Sequence, residues 1–205
     1  PDDPDLNLAR QWGVAFGGDV QTLAALDVWL SGGLSAYAQW LREPGEGDPH
    51  DPLVVVPELV ADVTAELSVS EDAARYYLQL IAWPDPTDAN VRRWNNWKKA
   101  DITRAGKELA AVDLVLEAKR TRSGRNFFLP GGWLEAAPPH VPLELWKKEA
   151  FGMVVLPDFT KPRPMLGVAV APLPPTLWLP ACWERSRGDD APQFSDLETT
   201  RRTRQ

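Results

Sequence analysis

Ten basic side chains fall between Arg92 and Arg125 against four acidic ones, a local net charge of +6. Guanidinium and ammonium groups at that density suit one task well, the neutralisation of phosphate oxygens. Little else in the chain is equipped to react. A nucleophile needs a base within hydrogen-bond reach, and Cys182, in LPACWE, is far in sequence from both His50 and His140. There is no Gly-x-Ser-x-Gly, no phosphate loop and no His-Glu-x-x-His, and the glycines of GVAFGGD follow no strand and fall in the wrong order for a dinucleotide fingerprint. One cysteine excludes an internal disulfide, and with two histidines it speaks against a zinc site. The expectation is a non-enzymatic protein with no metal and no cofactor.

The bases act together only if the backbone gathers them. Thr87 is placed to cap a helix, DANVRRWNNW, in which Val91 and Trp94 point one way and Arg92 and Arg93 mostly another. Asn95-Asn96 tolerate the left-handed turn that ends it. The next helix, roughly Lys98 to Val112, puts Ile102, Ala105, Gly106, Leu109 and Val112 on one face and Lys99, Thr103, Arg104, Lys107 and Ala111 on the other. Gly106 costs about 1 kcal/mol relative to Ala in a helix, so close packing against a neighbour is expected there. LVLEA then alternates, KRTRSGR turns and NFFLP returns, a hairpin whose Leu114, Leu116 and Phe128 pack back on the helices. Lys119, Arg120, Arg122 and Arg125 are left to crowd its exposed tip.

From Lys98 to Trp133, KKADITRAGKELAAVDLVLEAKRTRSGRNFFLPGGW resembles the winged-helix domains of bacterial regulators of the multidrug-resistance-regulator and metal-sensor-regulator kind. In those proteins a recognition helix is followed by a strand and a basic wing, and the likeness lengthens if the helix capped by Ser70 is included. The resemblance implies a non-enzymatic module that binds duplex DNA. Lys99, Thr103, Arg104 and Lys107 would face the groove, Lys119, Arg120, Arg122 and Arg125 would form the wing contacts, and Arg92 and Arg93 would fix the preceding helix on the backbone. Asp101 and Glu108 lie on or near the reading face and Asn and Gln are absent from it, so backbone neutralisation is expected over base reading.

Around this stretch the chain reads as support. Residues 1–91 carry 16 acids against three bases, and the whole chain has a net charge of −7. The basic run therefore has two other readings, a solvated face or an intramolecular mate for the acidic part. Helices are expected in LNLARQWGVAF and VQTLAALDVWL, followed by a third short run, LSAYAQWL, with Trp12, Trp29 and Trp40 as packing residues. REPGEGDPHDP has loop composition and is expected to stay unordered, with His50 an exposed loop histidine. Pro57 opens PELVADVTAEL. Ser70 caps EDAARYYLQLIAW, whose Ala73, Tyr77, Leu80 and Ile81 form a buried stripe until Pro84 and Pro86 stop it. Trp83, Trp94 and Trp97 read as a hydrophobic hinge, with base stacking the alternative.

Beyond Trp133 a short helix from Leu143 to Glu149 and a strand in MLGVAVA are expected. KPRP and APLPP read as polyproline segments wrapping over the domain, residues 184–205 as frayed, and Pro192–Leu197 as a possible clasp. The expected class is mainly α with a small β-hairpin. It comprises an acidic helical region and loop (1–52), a winged-helix-like domain (53–135), and a Pro-rich C-terminal extension and tail (136–205). No apolar run approaches the ~18 residues of a membrane span, and the opening PDDPDLNLAR has neither the basic nor the apolar part of a signal peptide. A cytoplasmic fragment of a longer protein is expected. The alternative to DNA is a protein partner, or self-association through the Trp-rich or acidic surfaces, with the winged helix as architecture.

Overall fold

The computed structural model describes Leu8 and residues 32–42, 45–155 and 160–194. Among them the protein is mainly α with small antiparallel hairpins. Apart from Leu8, the two helices expected before residue 31, with Trp12 and Trp29, lie outside the described residues. The described helices are α1 (Gly33–Trp40), α2 (Pro52–Val55), α3 (Pro57–Leu67), α4 (Glu71–Ala82), α5 (Asp88–Asn95), α6 (Lys99–Ala111) and α7 (Pro175–Arg187).

Local chemistry accounts for most of these boundaries. Pro57 sits in the first turn of α3, where its missing N–H loses no helical bond. The Ser70 hydroxyl accepts from the Ala73 N–H at 3.3 Å, and Thr87 Oγ1 from the Asn90 N–H at 3.2 Å, opening α4 and α5. Asn96, at φ 55°, turns the chain out of α5, and the Lys98 N–H donates to Asp101 at 2.8 Å to start α6.

Helix α4 lies at the centre. Its ten residues Ala73 to Ala82 are all buried, because α3, α6 and α7 pack around it. The one-sided stripe expected from its spacing is thus too narrow a reading; after Arg75 the helix carries no charge that would need water. Among its buried polar groups the Tyr76 hydroxyl has no hydrogen-bond partner, whereas Arg75 and Gln79 are paired. Arg75 makes a two-pronged contact with Asp51 at 2.8 and 3.2 Å, and Gln79 and Asn95 exchange side-chain hydrogen bonds at 2.7 and 2.9 Å.

The same pairs overturn the expectation of an unordered loop at 42–52. Asp51 is buried on Arg75 and caps α2, and the His50 carbonyl accepts from Gln79 Nε2 and Trp83 Nε1 at 3.0 and 3.3 Å. His50 is not a free loop side chain either, since its ring stacks on Trp94. Residues 45–52 are part of the wall of the fold rather than a boundary.

Strands β1 (Leu116–Glu117) and β2 (Phe127–Phe128) pair in the expected hairpin. A Cβ on Gly106 would lie 2.2 Å from the Phe127 ring, so this helical glycine is what lets the hairpin sit against α6. Beyond it, β3 (Trp133–Leu134) pairs with β4 (Leu143–Glu144), and β5 (Met153–Val154) with β6 (Arg163–Pro164). The helix expected over 143–149 is instead strand β4 followed by a 3-10 turn, Leu145–Lys147, because the extended backbone at 143–144 bonds to β3. The strand expected in MLGVAVA does not form: β6 ends at Pro164, and a turn follows in which the Gly167 N–H meets the Pro164 carbonyl at 3.0 Å.

Helix α7 replaces much of the expected wrap and fraying, with Pro175 in its first turn and Trp178, Leu179, Cys182 and Trp183 buried. Residues 136–187 and 60–129 contribute to one continuous apolar core, so the divide at 135 separates nothing in the interior. Gly131, at φ 97°, would place a Cβ 2.9 Å from the Gln193 carbonyl, so the chain passes close by there; residues 195–197 of the expected clasp lie outside the described residues.

Candidate nucleic-acid interface

Helices α5 and α6 form two arms joined by the Asn96 turn, with α6 running into the hairpin. On α6, Lys99, Thr103 and Lys107 recur every four residues, hence along one stripe, while Ile102, Ala105, Gly106 and Leu109 face the core. Lys99 and Lys107 are exposed; Thr103 is half-buried and its hydroxyl donates to the Lys99 carbonyl at 3.1 Å. Arg92 and Arg93 are exposed at the end of α5, and Lys119 is exposed in the hairpin loop. Lys98, absent from the sequence-based set, is exposed beside Lys99. None of these six bases lies within ion-pair distance of a carboxylate among the described residues.

Arg104 does not share that freedom. Its guanidinium is 2.6 Å from Asp72 and 3.0 Å from Asp101, which spends its charge on the N-terminal turn of α4. The Lys98 N–H and then Arg104 hold the Asp101 carboxyl below its ordinary range. Glu108 likewise turns away from the stripe, accepting from the N–H and hydroxyl of Ser70 at 2.5 and 2.6 Å. The intramolecular-mate reading therefore holds for Arg104 but not for the stripe beside it. Asp88 lies among Lys99, Arg125 and Arg92; burial raises its pKa against the pull of those three charges.

The wing is where structure and expectation part. Arg125 is buried, not at an exposed tip: its side chain is ion-paired with Glu144, both at zero exposure, and its Nε donates to the Phe127 carbonyl at 3.2 Å. Arg120 donates to the Gly132 carbonyl at 2.9 Å. Both guanidiniums lie over Phe128 and Trp133, at 4.8 to 5.5 Å from the ring centroids. Arg122 is exposed, yet it donates to the carbonyls of Ala136 and His140 at 2.8 and 2.7 Å. The three arginines are turned inward because the chain after β2 doubles back beneath the hairpin and offers them carbonyls, rings and one carboxylate. Of the four expected wing contacts, Lys119 alone extends to solvent without such a partner.

Glu144 also receives Lys147, whose Nζ is 3.1 Å from Glu144 Oε2 and donates to the Trp83 carbonyl at 2.6 Å. This buried trio was not foreseen from the sequence, although LELWKK spaces the acid and the base as i and i+3. Cys182 is buried, and burial pushes its thiol up to about 12. Among the described residues no helix is long and apolar enough to cross a membrane. Compared with protein-family models, with curated proteins and with solved structures, the chain matches none.

Proposed function

We propose that the chain is a non-enzymatic, winged-helix-like module that binds duplex DNA through α5, α6 and the hairpin loop, chiefly by neutralising the backbone. One observation carries this reading: six exposed bases, Arg92, Arg93, Lys98, Lys99, Lys107 and Lys119, occupy consecutive elements with no ion-pair partner among the described residues. Helix α6 would lie in the major groove along the Lys99–Thr103–Lys107 stripe, whose neighbours Ala100 and Ala111 are exposed and small enough to allow close approach. Arg92 and Arg93 would hold the adjacent phosphates. The wing contributes Lys119, while Arg120, Arg122 and Arg125 shape the hairpin from within.

Six phosphate contacts predict that log affinity falls with log salt at a slope of about −5. Anisotropy of a labelled duplex titrated at several salt concentrations measures it. Lys99→Glu with Lys107→Glu should abolish binding at low salt while leaving the thermal transition in place. Absence of binding by the unaltered chain at low salt, or binding indifferent to the double substitution, refutes the reading.

A further inference from the structure

The loop between Arg42 and Pro52 builds something the basic face does not use. Two cavities flank Trp40 and Pro49, which line both. The larger, about 390 Å³, is walled by Tyr37, Trp40, His50, Trp83 and Trp94, with Asp85 and Asn90 at its polar side. The smaller, about 330 Å³, adds Glu46. Among the described residues no lysine or arginine lines either one.

The rings are held in place before any ligand arrives. Tyr37 and Trp40 stand at 83° with centroids 6.4 Å apart, and Tyr37 Oη donates to the Ala171 carbonyl at 3.0 Å, tying α1 to the Pro-rich segment. His50 stacks on Trp94 at 4.7 Å and 10° and meets Trp83 at 64°; Asp48 holds its Nδ1 at 2.9 Å. Aromatic faces are negative, and walls of several rings favour a cation over a neutral group. The carboxylates point the same way. Asp51, Asp72 and Glu144 each have an arginine or lysine, whereas Asp85 has Asn90 as its side-chain partner at 3.3 Å and Glu46 has no base among the described residues. The groove is thus short of positive charge.

We propose that this groove binds the arginine side chain of an extended peptide, the guanidinium lying flat against the rings and donating to Asp85 while the peptide continues past Trp40 towards Glu46. A planar guanidinium satisfies ring and carboxylate together, which a compact ammonium does less well. The site shares no residue with the proposed DNA face, so either stands if the other fails.

The test titrates the blocked tripeptides Ala-Arg-Ala, Ala-Lys-Ala and Ala-norleucine-Ala into the ¹⁵N-labelled chain and follows the indole N–H signals. The arginine peptide should shift Trp40 and Trp83 saturably in the millimolar range, lysine more weakly and norleucine not at all. Asp85→Asn should weaken the arginine peptide about fivefold. Trp40→Ala should remove the effect, with unmoved Trp178 and Trp183 signals reporting an intact core. The proposal is overturned if norleucine shifts the same signals, if lysine binds as well as arginine, if Asp85→Asn changes nothing, or if no saturable shift occurs.

Discussion

Replacing Glu144 by Gln should cost the fold about 3–5 kcal/mol, and replacing Lys147 by Met far less. The trio of Arg125, Glu144 and Lys147 brings two positive charges and one negative charge out of water, with exposures of 0 to 1%. Burial alone would raise the Glu144 carboxyl, but the charges of Arg125 and Lys147 outweigh it and hold the pKa down at about 2. Lys147 is the odd member: burial, aided by repulsion from Arg125, lowers its ammonium to about 8 against the pull of Glu144. Deleting the carboxylate leaves the buried Arg125 guanidinium without its counter-charge and removes the pull that keeps Lys147 protonated, and orphaning one side of a buried pair is the expensive way to break it.

Deleting Lys147 instead leaves a balanced Arg125–Glu144 pair. A lysine displaced from 10.5 to about 8 opposes folding at neutral pH by about 3 kcal/mol. Relief of that cost offsets the lost bond to the Trp83 carbonyl, about 1–3 kcal/mol. Urea midpoints followed by tryptophan fluorescence at pH 7 give both numbers. pH adds a second handle. Between about 8 and 10.5 the unfolded chain keeps a proton that folded Lys147 has released, so stability rises with pH across that window relative to Lys147→Met. Glu144 works at the other end, and its contribution disappears as pH falls from 4.5 towards 2. Equal losses from the two substitutions, or no difference in slope between pH 8 and 10.5, would refute the reasoning.

Other outcomes follow from the packing. Gly106→Ala should destabilise by about 1–3 kcal/mol despite the better helix propensity, because the new methyl collides with Phe127; chemical denaturation decides, and a gain would contradict the packing. Asp51→Ala removes the two-pronged partner of buried Arg75, leaving it Asp72 at 3.6 Å and the Trp97 ring, and removes the α2 cap, so it should cost about 2–3 kcal/mol and speed amide exchange selectively over residues 45–52. Cys182 should resist a thiol reagent in the native chain and react fully in denaturant, since burial both covers the thiol and disfavours its thiolate.

What could be read in the sequence was local. Pro57, Ser70, Thr87 and Asn96 mark the ends of α3, α4 and α5 by chemistry confined to one turn, and the strand–turn–strand after α6 carries its own alternation. Gly106 announced a close contact without naming Phe127. What could not be read was where long side chains go. Arg125 looks like a wing residue until Glu144, nineteen positions later, is brought beneath it. Charge counting assigns it to the surface because nothing within its own hairpin asks for a buried base. Proline density misled in a similar way at 171–175, where Pro175 begins a helix instead of extending a wrap. The aromatic groove draws on α1, the loop before α2, the end of α4, α5 and the segment before α7, so no spacing within any one of them could disclose it.

The position of α7 on α4 has a consequence for how the chain is made. Trp178 closes the C-terminal end of α4 by donating to the Ala82 carbonyl at 2.7 Å across 96 residues of sequence. A ribosome adding roughly 5–20 residues per second needs on the order of 5–20 seconds to span that distance. Throughout that interval the nascent chain carries a finished apolar helix with one side still open. Any chaperone or neighbouring chain that meets that side before its own cover has been synthesised would compete with α7, so the yield of folded protein is expected to respond to translation speed between α4 and α7 as well as to final stability.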